Sequence, residues 1–256
     1  MKGIEAIREM NRNNLYSFYQ GIGRTAGFET GMVSSARYVS NAAMEWPSYI
    51  LGGGKMSRSS LLQIFNRMKD DTLPFFWMRP MDEDPEFEEF AGEQGIRKVN
   101  LWRGMHLERT SPFRLPVPHP ELLFEEVITQ HDLKNWLKVL NQEIMTCREL
   151  EVKNFQNLLA DPSFRFFRVS NGRKTISTIM MHKRKTETGI YMVSTTSAER
   201  GKGIGSWITA SAIDRLLADG CRHFVLHATP SGFPVYQRLG FEECCEYGIF
   251  WMFGKK

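Results

Sequence analysis

Residues 200–205, Arg-Gly-Lys-Gly-Ile-Gly, combine glycines and basic side chains in a pattern that is typical of an anion-binding loop. A glycine has no Cβ, so the backbone can approach a ligand closely at that position. Apolar residues 190–195 predict a strand before the loop, and an apolar stripe at helical spacing predicts a helix after it. The first N–H groups of a helix lack partners within the helix and carry a partial positive charge. The run therefore predicts a phosphate site.

The glycine spacing separates this loop from two common nucleotide motifs. A P-loop requires Gly-x-x-x-x-Gly-Lys-Ser/Thr, which these residues do not supply. A dinucleotide-binding loop requires Gly-x-Gly-x-x-Gly and an acidic residue at the end of the next strand. Here the spacing is Gly201-x-Gly203-x-Gly205, and the next predicted strand, 222–228, ends without a carboxylate. Both nucleotide interpretations are therefore poor.

A second motif, Val-Tyr-Gln-Arg-Leu-Gly-Phe at 235–241, follows the loop. Together, this motif and the Arg-x-x-Gly-x-Gly pattern of 200–205 resemble two signatures of the GNAT superfamily of acyl-CoA-dependent N-acyltransferases. The resemblance covers about residues 121–256. It implies that the glycine loop binds the pyrophosphate of acyl-CoA, with acetyl-CoA or another acyl-CoA as co-substrate and no metal.

The predicted elements of 121–256 stand in the order that this family shows. A hairpin is indicated at Asn171-Gly172, and 183–189 reads as a polar turn. The predicted strands are 122–129, 164–170, 175–183, 190–195, 222–228 and 249–253, and the predicted helices are 133–145, 150–159, the one after the loop and the one from 235. The resemblance implies an α/β (α+β) fold with a mixed, mostly antiparallel central sheet flanked by helices.

The chain divides most clearly at 111–120, where four prolines in nine positions favour an extended linker. We predict an N-terminal α/β domain over 1–110, the linker over 111–120 and the acyltransferase domain over 121–256. Mixed helix and strand patterns before the linker favour a shortened, degenerate copy of the same fold, although no repeat is visible in the sequence. Those patterns are strands at 37–43, 74–78 and 98–102, and helices at 60–69 and from Asp84-Pro85 to 93.

The resemblance also assigns roles to individual residues around the loop. Val193 and Thr195 would bind the pantetheine arm through main-chain groups, in a gap where strand 190–195 and strand 222–228 splay apart. Thr229 stands where many members of the family carry an asparagine. The residues implied to hold the pyrophosphate are Arg200, Gly201, Lys202, Gly203, Ile204, Gly205 and Ser206. Lys202 is equally explained as a solvated loop lysine.

Acyl transfer to an amine requires a base for the amine proton and an acid for the leaving thiolate. Tyr236 matches the family's general acid, and its alternative role is packing beside Phe233 and Leu239. The general base stays open, and a water chain is one alternative to a single residue. The candidate bases are Glu187, Tyr191, Glu199, His223 and His227.

Three other segments allow a functional and a structural interpretation. The acidic run 82–89 would attract a cationic amine, or it is a solvated helix start. Residues 183–185, Lys-Arg-Lys, would reach the 3′-phosphate of CoA, or they form a charged hairpin tip. The aromatic and glycine-rich run 45–54 would line an acceptor pocket, or it is a packed corner and a turn, which we favour.

Composition limits the remaining partners. A net charge of +4, with 42% hydrophobic and 24% charged residues, is typical of a soluble globular protein. The sequence contains no stripe of basic residues interleaved with aromatic residues, which would indicate a nucleic-acid partner. It also contains no apolar run that approaches the length needed to cross a membrane. The four cysteines show no metal-ligand spacing, and two are adjacent, so we expect no simple disulfide framework and a cytoplasmic location.

The sequence therefore predicts an N-acetyltransferase that transfers an acetyl group from acetyl-CoA to a primary amine in a ternary complex. The acceptor is a small-molecule or protein amine, and its identity is open. Two alternatives remain, a non-catalytic acyl-CoA-binding or regulatory module and an interaction scaffold. The apolar stretch 249–253 either covers the core or pairs across a homodimer.

Overall fold

The computed structural model describes residues 3–41, 46–82, 84, 86–145, 149–172 and 174–252. Its strands form an 11-stranded sheet. In chain order they are β1 Glu29–Val33, β2 Ala36–Ser40, β3 Tyr49–Leu51, β4 Phe76–Pro80, β5 Ile96–Glu108, β6 Leu122–Glu126, β7 Phe164–Asn171, β8 Lys174–Arg184, β9 Glu187–Thr195, β10 His223–Ala228 and β11 Glu242–Met252.

The helices begin and end at residues that favour those positions. Thr129 caps α4 by accepting a hydrogen bond from the N–H of Asp132 at 3.1 Å, and Gly27, with φ of +74°, ends α1. The helices are α1 Ile4–Ala26, α2 Arg58–Lys69, α3 Phe87–Glu93, α4 Gln130–Glu143, α5 Val152–Phe155, α6 Ile204–Ala218 and α7 Phe233–Arg238, with 3₁₀ helices at Gln156–Ala160 and Ser197–Glu199.

The sheet consists of two halves that exchange their last strands. Its order is β1-β2-β3-β4-β11-β5-β10-β9-β8-β7-β6. The final strand of the N-terminal half, β5, lies between β10 and β11, and the final strand of the C-terminal half, β11, lies between β4 and β5. Each half contains one parallel pair, β3–β4 or β9–β10, joined through a helix.

The element order of the N-terminal half repeats that of the C-terminal half in shortened form. In both halves a helix is followed by two antiparallel strands, then by a strand, a helix and a parallel strand, and finally by a helix and the exchanged strand. Within the described residues, the N-terminal half has no counterpart of β6. The structure therefore matches the prediction of a degenerate second copy of the fold.

Helices cover both faces of the sheet. Phe166 and Phe167 are adjacent in β7 and point to opposite faces, so they belong to different core clusters. The Phe166 face packs against α1, α4 and α5. On the opposite face, α6 and α7 cover the C-terminal strands, while α2 and α3 cover the N-terminal strands around Trp77.

The predicted elements of 121–252 are present, some with different bounds, and residue 253 of the last predicted strand lies outside the described residues. The polar turn predicted over 183–189 is wrong in extent, because β8 runs to Arg184 and β9 begins at Glu187. The turn consists of Lys185, at φ of +56°, and Thr186. The helix predicted over 150–159 is split into α5 and a 3₁₀ helix. The Asn171-Gly172 hairpin is confirmed by the pairing of β7 with β8, with Gly172 at φ of +58°.

The N-terminal elements were harder to predict from the sequence. The pattern at 37–43 corresponds to β2 and that at 74–78 to β4, while 98–102 is part of the longer β5. The predictions for 42–43, 45, 83 and 85 lie outside the described residues. Helix α1 has no predicted counterpart, although it crosses the sheet from β11 to β8. Its buried asparagines interrupt the apolar periodicity on which a helix prediction depends.

Residues 111–120 form neither a helix nor a strand, and Phe113 packs against the protein. The N–H of Phe113 donates to Asp214 of α6 at 2.8 Å, and the guanidinium of Arg109 lies 3.6 Å from the centre of the Phe113 ring. Strands from both sides of this segment pair within one sheet. The division at 111–120 stays a prediction about folding units.

The terminal apolar stretch does not form an open edge. Strand β11 pairs with β4 on one side and with β5 on the other, so both of its edges are occupied within the chain. Of the two alternatives for this stretch, the structure agrees with the one in which it covers the core, since Ile249, Phe250 and Met252 are buried. Within the described residues, no helix is long and apolar enough to cross a membrane.

Candidate functional site

Strands β9 and β10 separate at one end and leave a gap between them. Their parallel pairing ends at Ile190 and Leu226, although β9 continues to Thr195. A β-bulge opposite β8 places Met192 at φ of +52°, which turns the end of β9 away from β10. The splay that the resemblance implies is confirmed. It exposes Val193 and Thr195 at the gap, both of them half-buried.

The glycine loop connects this splayed strand to α6. Gly201 and Gly203 have φ of +77° and +80°, and a Cβ added to either would meet no atom within 4 Å. Gly203 is the residue before α6, and no side chain caps the helix there. The first N–H to find a helical acceptor is that of Trp207, which bonds to Gly203 at 3.0 Å. The loop is therefore an open cradle in front of unpaired helical N–H groups.

The remaining loop residues close the cradle from the protein side. Ile204 is buried in the core under α6, while Gly205 and Ser206 are half-buried in its first turn. A Cβ added to Gly205 would lie 3.9 Å from Thr195 Oγ1. Thr195 Oγ1 also lies 2.9 Å from Ser177 Oγ, which joins the end of β9 to β8. The end of β9 thus faces the first turn of α6, which contains small residues.

Arg200 is held by the protein, although its side chain is 58% exposed. Its Nε donates to the carbonyl of Thr195 at 3.1 Å, and its Nη2 donates to Glu143 at 2.6 Å. Arg200 therefore fixes the loop to β9 and α4 while keeping a positive charge beside it. Lys202 is exposed and pairs with Glu199 at 3.0 Å, which agrees with its interpretation as a solvated loop lysine.

Glu143 is a site residue that the sequence did not reveal. It ends α4, its side chain is only 3% exposed, and it accepts hydrogen bonds from the N–H and the hydroxyl of Ser197 in addition to Arg200. The hydrogen bond from Ser197 holds the pKa of the Glu143 carboxyl below its ordinary value, with Arg200 contributing in the same direction. The carboxylate therefore remains charged and anchors the segment that leads into the loop.

Tyr236 lies on α7, buried in the core cluster with Leu239 and Phe241. Its ring makes an edge contact with Phe241, with the ring centres 5.9 Å apart. Burial raises the pKa of the Tyr236 hydroxyl above its ordinary value, so the hydroxyl keeps its proton. Among the described residues, no hydrogen-bond partner for this hydroxyl is found. The contacts match the packing role with Leu239, and they leave the hydroxyl available as a proton donor.

Thr229 follows β10 directly, at the other side of the gap. Its hydroxyl accepts a hydrogen bond from the N–H of Gly232 at 3.2 Å and lies 3.2 Å from Ser231 Oγ. The side chain therefore organises the turn into α7. An asparagine at this position would reach further toward the gap than threonine does.

The five candidate bases occupy different parts of the sheet. Glu187 pairs with Arg184 at the far end of β9, and Glu199 pairs with Lys202 at the surface. The hydroxyl of Tyr191 donates to Asn14 at 2.8 Å, and His223 Nδ1 lies 3.2 Å from His106 Nε2. The fifth, His227, lies at the splay.

His227 lies where the pairing between the two strands ends, as Tyr191 does on β9. It belongs to β10, one residue beyond the last pair with β9, and its ring packs edge-on against Tyr247 at 4.7 Å. Both ring nitrogens are buried without a hydrogen-bond partner among the described residues. Burial lowers the pKa of His227 to about 3, so the imidazole is neutral at physiological pH.

The predicted hairpin tip and the acidic run lie away from the glycine loop. The tip 183–185 lies at the opposite end of β9, and Lys183 Nζ donates to the carbonyl of Asp219 at 3.3 Å. In the acidic run, Asp84 pairs with Arg79 and Glu88 with Lys98. These contacts agree with a charged hairpin tip and a helix start.

The aromatic run that begins before β3 packs onto the C-terminal half. The ring of Trp46 stacks on Phe155 of α5, with the centres 5.7 Å apart and the planes 11° apart. It also approaches Tyr19 of α1 at 6.5 Å. This part of the run is a packed corner, as favoured from the sequence.

Two further contacts near the gap were not predicted from the sequence. Asn11 and Asn14 of α1 are fully buried, and Asn11 donates to the carbonyls of Met105 and Leu226. Asn14 donates to the carbonyl of His182 and accepts from Tyr191. Asparagines at positions 11 and 14 fall one helical turn apart, which places them on one face. That spacing is the one signal that was available.

Comparison with known proteins agrees with this geometry. Residues 126–249 match the model of the acetyltransferase (GNAT) domain. No curated protein matches the chain. A GCN5-related N-acetyltransferase from Kribbella flavida has a similar structure, with a TM-score of 0.70 and 13% identity, covering 98% of this chain and 96% of that one.

Two further solved structures share the fold. A GCN5-related N-acetyltransferase from Sphaerobacter thermophilus gives a TM-score of 0.65 at 12% identity, over 84% of this chain and 76% of that chain. A tandem GNAT protein from the clavulanic acid biosynthesis pathway gives 0.59 at 12% identity, over 84% of this chain and 77% of that chain. At these identities the likeness concerns the fold alone.

The domain match and the fold agree. Residues 126–249 form a GNAT acetyltransferase domain. The predicted fold class is confirmed, including its similarity to a tandem member.

Proposed function

We propose that the chain transfers an acetyl or related acyl group from acyl-CoA to a primary amine, at a site in its C-terminal half. The uncapped start of α6 next to the splay carries this proposal. Open space at Gly201 and Gly203 leaves room for phosphate oxygens, which the N–H groups of the first turn would bind. The Arg200 guanidinium adds positive charge beside them.

The gap between β9 and β10 fits the arm of the donor. The backbone of Val193 and Thr195 extends past the last residue that pairs with β10. An extended chain entering there would bind along β9 as an added strand does. Thr229 borders the opposite side of the gap.

In the proposed reaction, the amine nitrogen attacks the thioester carbonyl carbon and the carbon–sulfur bond breaks. Tyr236 would donate its hydroxyl proton to the leaving sulfur, which requires a phenol that stays protonated until that step. The amine proton would pass to water or to the neutral imidazole of His227. Holding amine and thioester together supplies most of the acceleration, up to ~7–11 kcal/mol.

The acceptor is a primary amine of a small molecule or of a protein. The alternative is a module that binds acyl-CoA without catalysis, and the packing of Tyr236 in the core favours it. Turnover of a panel of amines with acetyl-CoA separates the two. The Tyr236→Phe variant keeps the packing and removes the proton, so it should lower kcat more than acyl-CoA affinity.

Calorimetric titration with acetyl-CoA and desulfo-CoA tests the site itself. Gly203→Trp would place a bulky side chain in the open cradle and should abolish binding while preserving the circular dichroism spectrum. Unchanged affinity in this variant would remove the loop from the proposal. Binding without turnover, in the wild type and for every amine, would support the non-catalytic alternative.

A further inference from the structure

Two adjacent cysteines lie together in strand β11, away from the glycine loop. Cys244 and Cys245 belong to β11, and their sulfur atoms are 3.6 Å apart. Side chains that follow one another in a regular strand point to opposite faces, which keeps adjacent thiols apart. The close approach therefore needs a local irregularity.

A β-bulge supplies that irregularity. Glu243 pairs with Met105 and Cys245 pairs with Gly104, so Cys244 is the extra residue between two consecutive partners. The bulge turns Cys244 toward the side of its neighbour. Gly104 then makes room for the pair, because a Cβ added there would lie 2.4 Å from Cys245 Sγ.

The two thiols line an open cleft between the start of α1 and the ends of β4 and β11. The cleft measures about 400 Å³, and its lining includes Arg8, Met81 and Asp82 together with both cysteines. Cys244 is 6% exposed and Cys245 is more exposed. A small ligand can therefore reach both sulfurs from solvent.

The surroundings favour ionisation of one thiol. A hydrogen bond from Cys245 lowers the pKa of the Cys244 thiol, and the positive charge of Arg8 acts in the same direction. Arg8 is fixed near the pair because its Nε donates to the carbonyl of Cys244 at 2.9 Å. A thiolate is the reactive form toward soft electrophiles and metals.

The sulfur separation selects among thiophilic ligands. With metal–sulfur bonds of ~2.3 Å, two thiolates lie ~3.8 Å apart on a tetrahedral centre and ~4.6 Å apart on a linear one. The observed 3.6 Å fits a bent arrangement and is too short for a linear one. A tetrahedral metal would need further ligands, and no group of three or more His, Cys, Asp or Glu side chains suited to a metal is found among the described residues.

We propose that Cys244 and Cys245 form a dithiol site that binds a monosubstituted trivalent arsenical through both sulfurs. Such an arsenic atom is pyramidal and needs only two sulfurs beside its own organic group. With an arsenoxide, two S–H bonds break and two As–S bonds form. The oxygen leaves with the two protons as water, and no atom changes its oxidation state.

Binding would alter contacts that connect three elements. When both thiols carry their protons, Cys244 Sγ donates to the carbonyl of Gly104 at 3.3 Å, and Cys245 Sγ donates to Asn11 Oδ1 at 3.7 Å. Both donated hydrogens are lost when the sulfurs bind arsenic. Occupancy of the site therefore weakens the contact between α1 and the centre of the sheet.

The test uses the full chain with Cys147→Ser and Cys221→Ser, so that only the adjacent pair remains. Phenylarsine oxide is added to the folded protein, and intact mass spectrometry counts the adducts. One arsenical per chain is expected, and it should resist 2-mercaptoethanol and be removed by 2,3-dimercaptopropanol. No adduct on the folded protein, or an adduct that forms only in urea, overturns the proposal.

Single variants in the same background distinguish two sulfurs from one. Cys244→Ser and Cys245→Ser should each lower the affinity for phenylarsine oxide about 100-fold or more, since one point of attachment is lost. Their circular dichroism spectra and thermal midpoints establish that they fold. A folded single variant that keeps the dithiol-reversible adduct contradicts binding through both sulfurs.

Discussion

The two halves of the molecule each place a glycine-containing segment between a strand and a helix, and only one of these segments is open. In the C-terminal half the segment after Met192 runs over 193–203 before α6, whereas in the N-terminal half the segment after Gly52 runs over 53–57 before α2. Met192 and Gly52 both have positive φ, +52° and +67°. The N-terminal half therefore keeps the turn and lacks the strand extension that forms the gap.

The N-terminal loop is filled by side chains of the chain itself. Trp77 Nε1 donates to the carbonyl of Gly52 at 2.8 Å, and Arg79 Nη2 donates to the carbonyl of Gly54 at 2.6 Å. The Arg79 side chain is 2% exposed, pairs with Asp84 at 3.2 Å and lies 3.8 Å from the centre of the Phe87 ring. A buried indole N–H and a buried guanidinium thus each occupy one carbonyl of this loop.

The helices that follow the two loops also differ, because a side chain caps the start of α2 and none caps the start of α6. Ser57 caps α2 by accepting a hydrogen bond from the N–H of Ser60 at 3.2 Å. Helix α6 begins at Gly203 without a side-chain cap. Among the described residues of these two loops, only the C-terminal loop combines a helix start without a side-chain cap and open space at its glycines. The two halves therefore share a topology and differ in the space that they leave for a ligand.

The largest effect on stability is expected from removing Arg79, the cation that is buried against the N-terminal loop. Arg79→Ala leaves the buried Asp84 carboxylate and the Gly54 carbonyl without this partner, which should cost about 3–5 kcal/mol of unfolding free energy. Affinity for acetyl-CoA should stay unchanged. Urea unfolding and calorimetric titration measure the two quantities. Lost affinity at unchanged stability would contradict the assignment of Arg79 to structure.

A matched pair of glycine substitutions separates strain from ligand binding. Gly52→Ala combines a positive φ with a Cβ 1.8 Å from the Tyr16 hydroxyl, so it should lower the free energy of unfolding by ~1–3 kcal/mol. Gly201→Ala meets open space and carries only backbone strain, ~1–2 kcal/mol. We expect only Gly201→Ala to weaken acetyl-CoA binding. Equal effects of both variants on that affinity would break the comparison.

Removing the charge of Glu143 should weaken acetyl-CoA binding about tenfold, or ~1.4 kcal/mol. Glutamine is isosteric but cannot accept all the donors that Ser197 and Arg200 present, so the segment before the loop loosens. The variant is Glu143→Gln, with Glu151→Gln at an exposed site as control. Titration at pH 7 compares them, and equal affinities would show that Glu143 does not position the loop.

The same carboxylate predicts a pH dependence of stability. The pKa of Glu143 lies below its ordinary value of 4.5 in the folded protein. Its contribution is therefore complete above that ordinary value and is lost as the pH falls through the lower folded value. The difference in thermal midpoint between wild type and Glu143→Gln should shrink at acidic pH. A difference that grows on acidification would have the wrong sign.

The smallest effect is expected at Lys202. Its side chain is 58% exposed and pairs with Glu199 in solvent, so Lys202→Ala should change acetyl-CoA affinity about threefold or less at physiological salt. Titration at two salt concentrations measures it. A loss far beyond that range at low salt would assign Lys202 to the phosphates.

The sequence predicted the C-terminal half well because its signals are local. The loop 200–205, the Asn171-Gly172 hairpin and the alternating strands depend on neighbouring residues. The exchange of β5 and β11 depends on pairing between residues separated by most of the chain, for which a single sequence has no signal. Glu143 was missed for the same reason, since 57 residues separate it from Arg200. The buried asparagines of α1 concealed that helix by interrupting its apolar stripe.

The exchanged strands also set the order in which the protein can be completed during synthesis. As a nascent chain emerges, β4 and β5 are available long before residues 242–252, which must lie between them. Until then both strands keep an edge that can recruit another chain. Neither half can complete its part of the sheet first, so assembly of the C-terminal half also waits for β11.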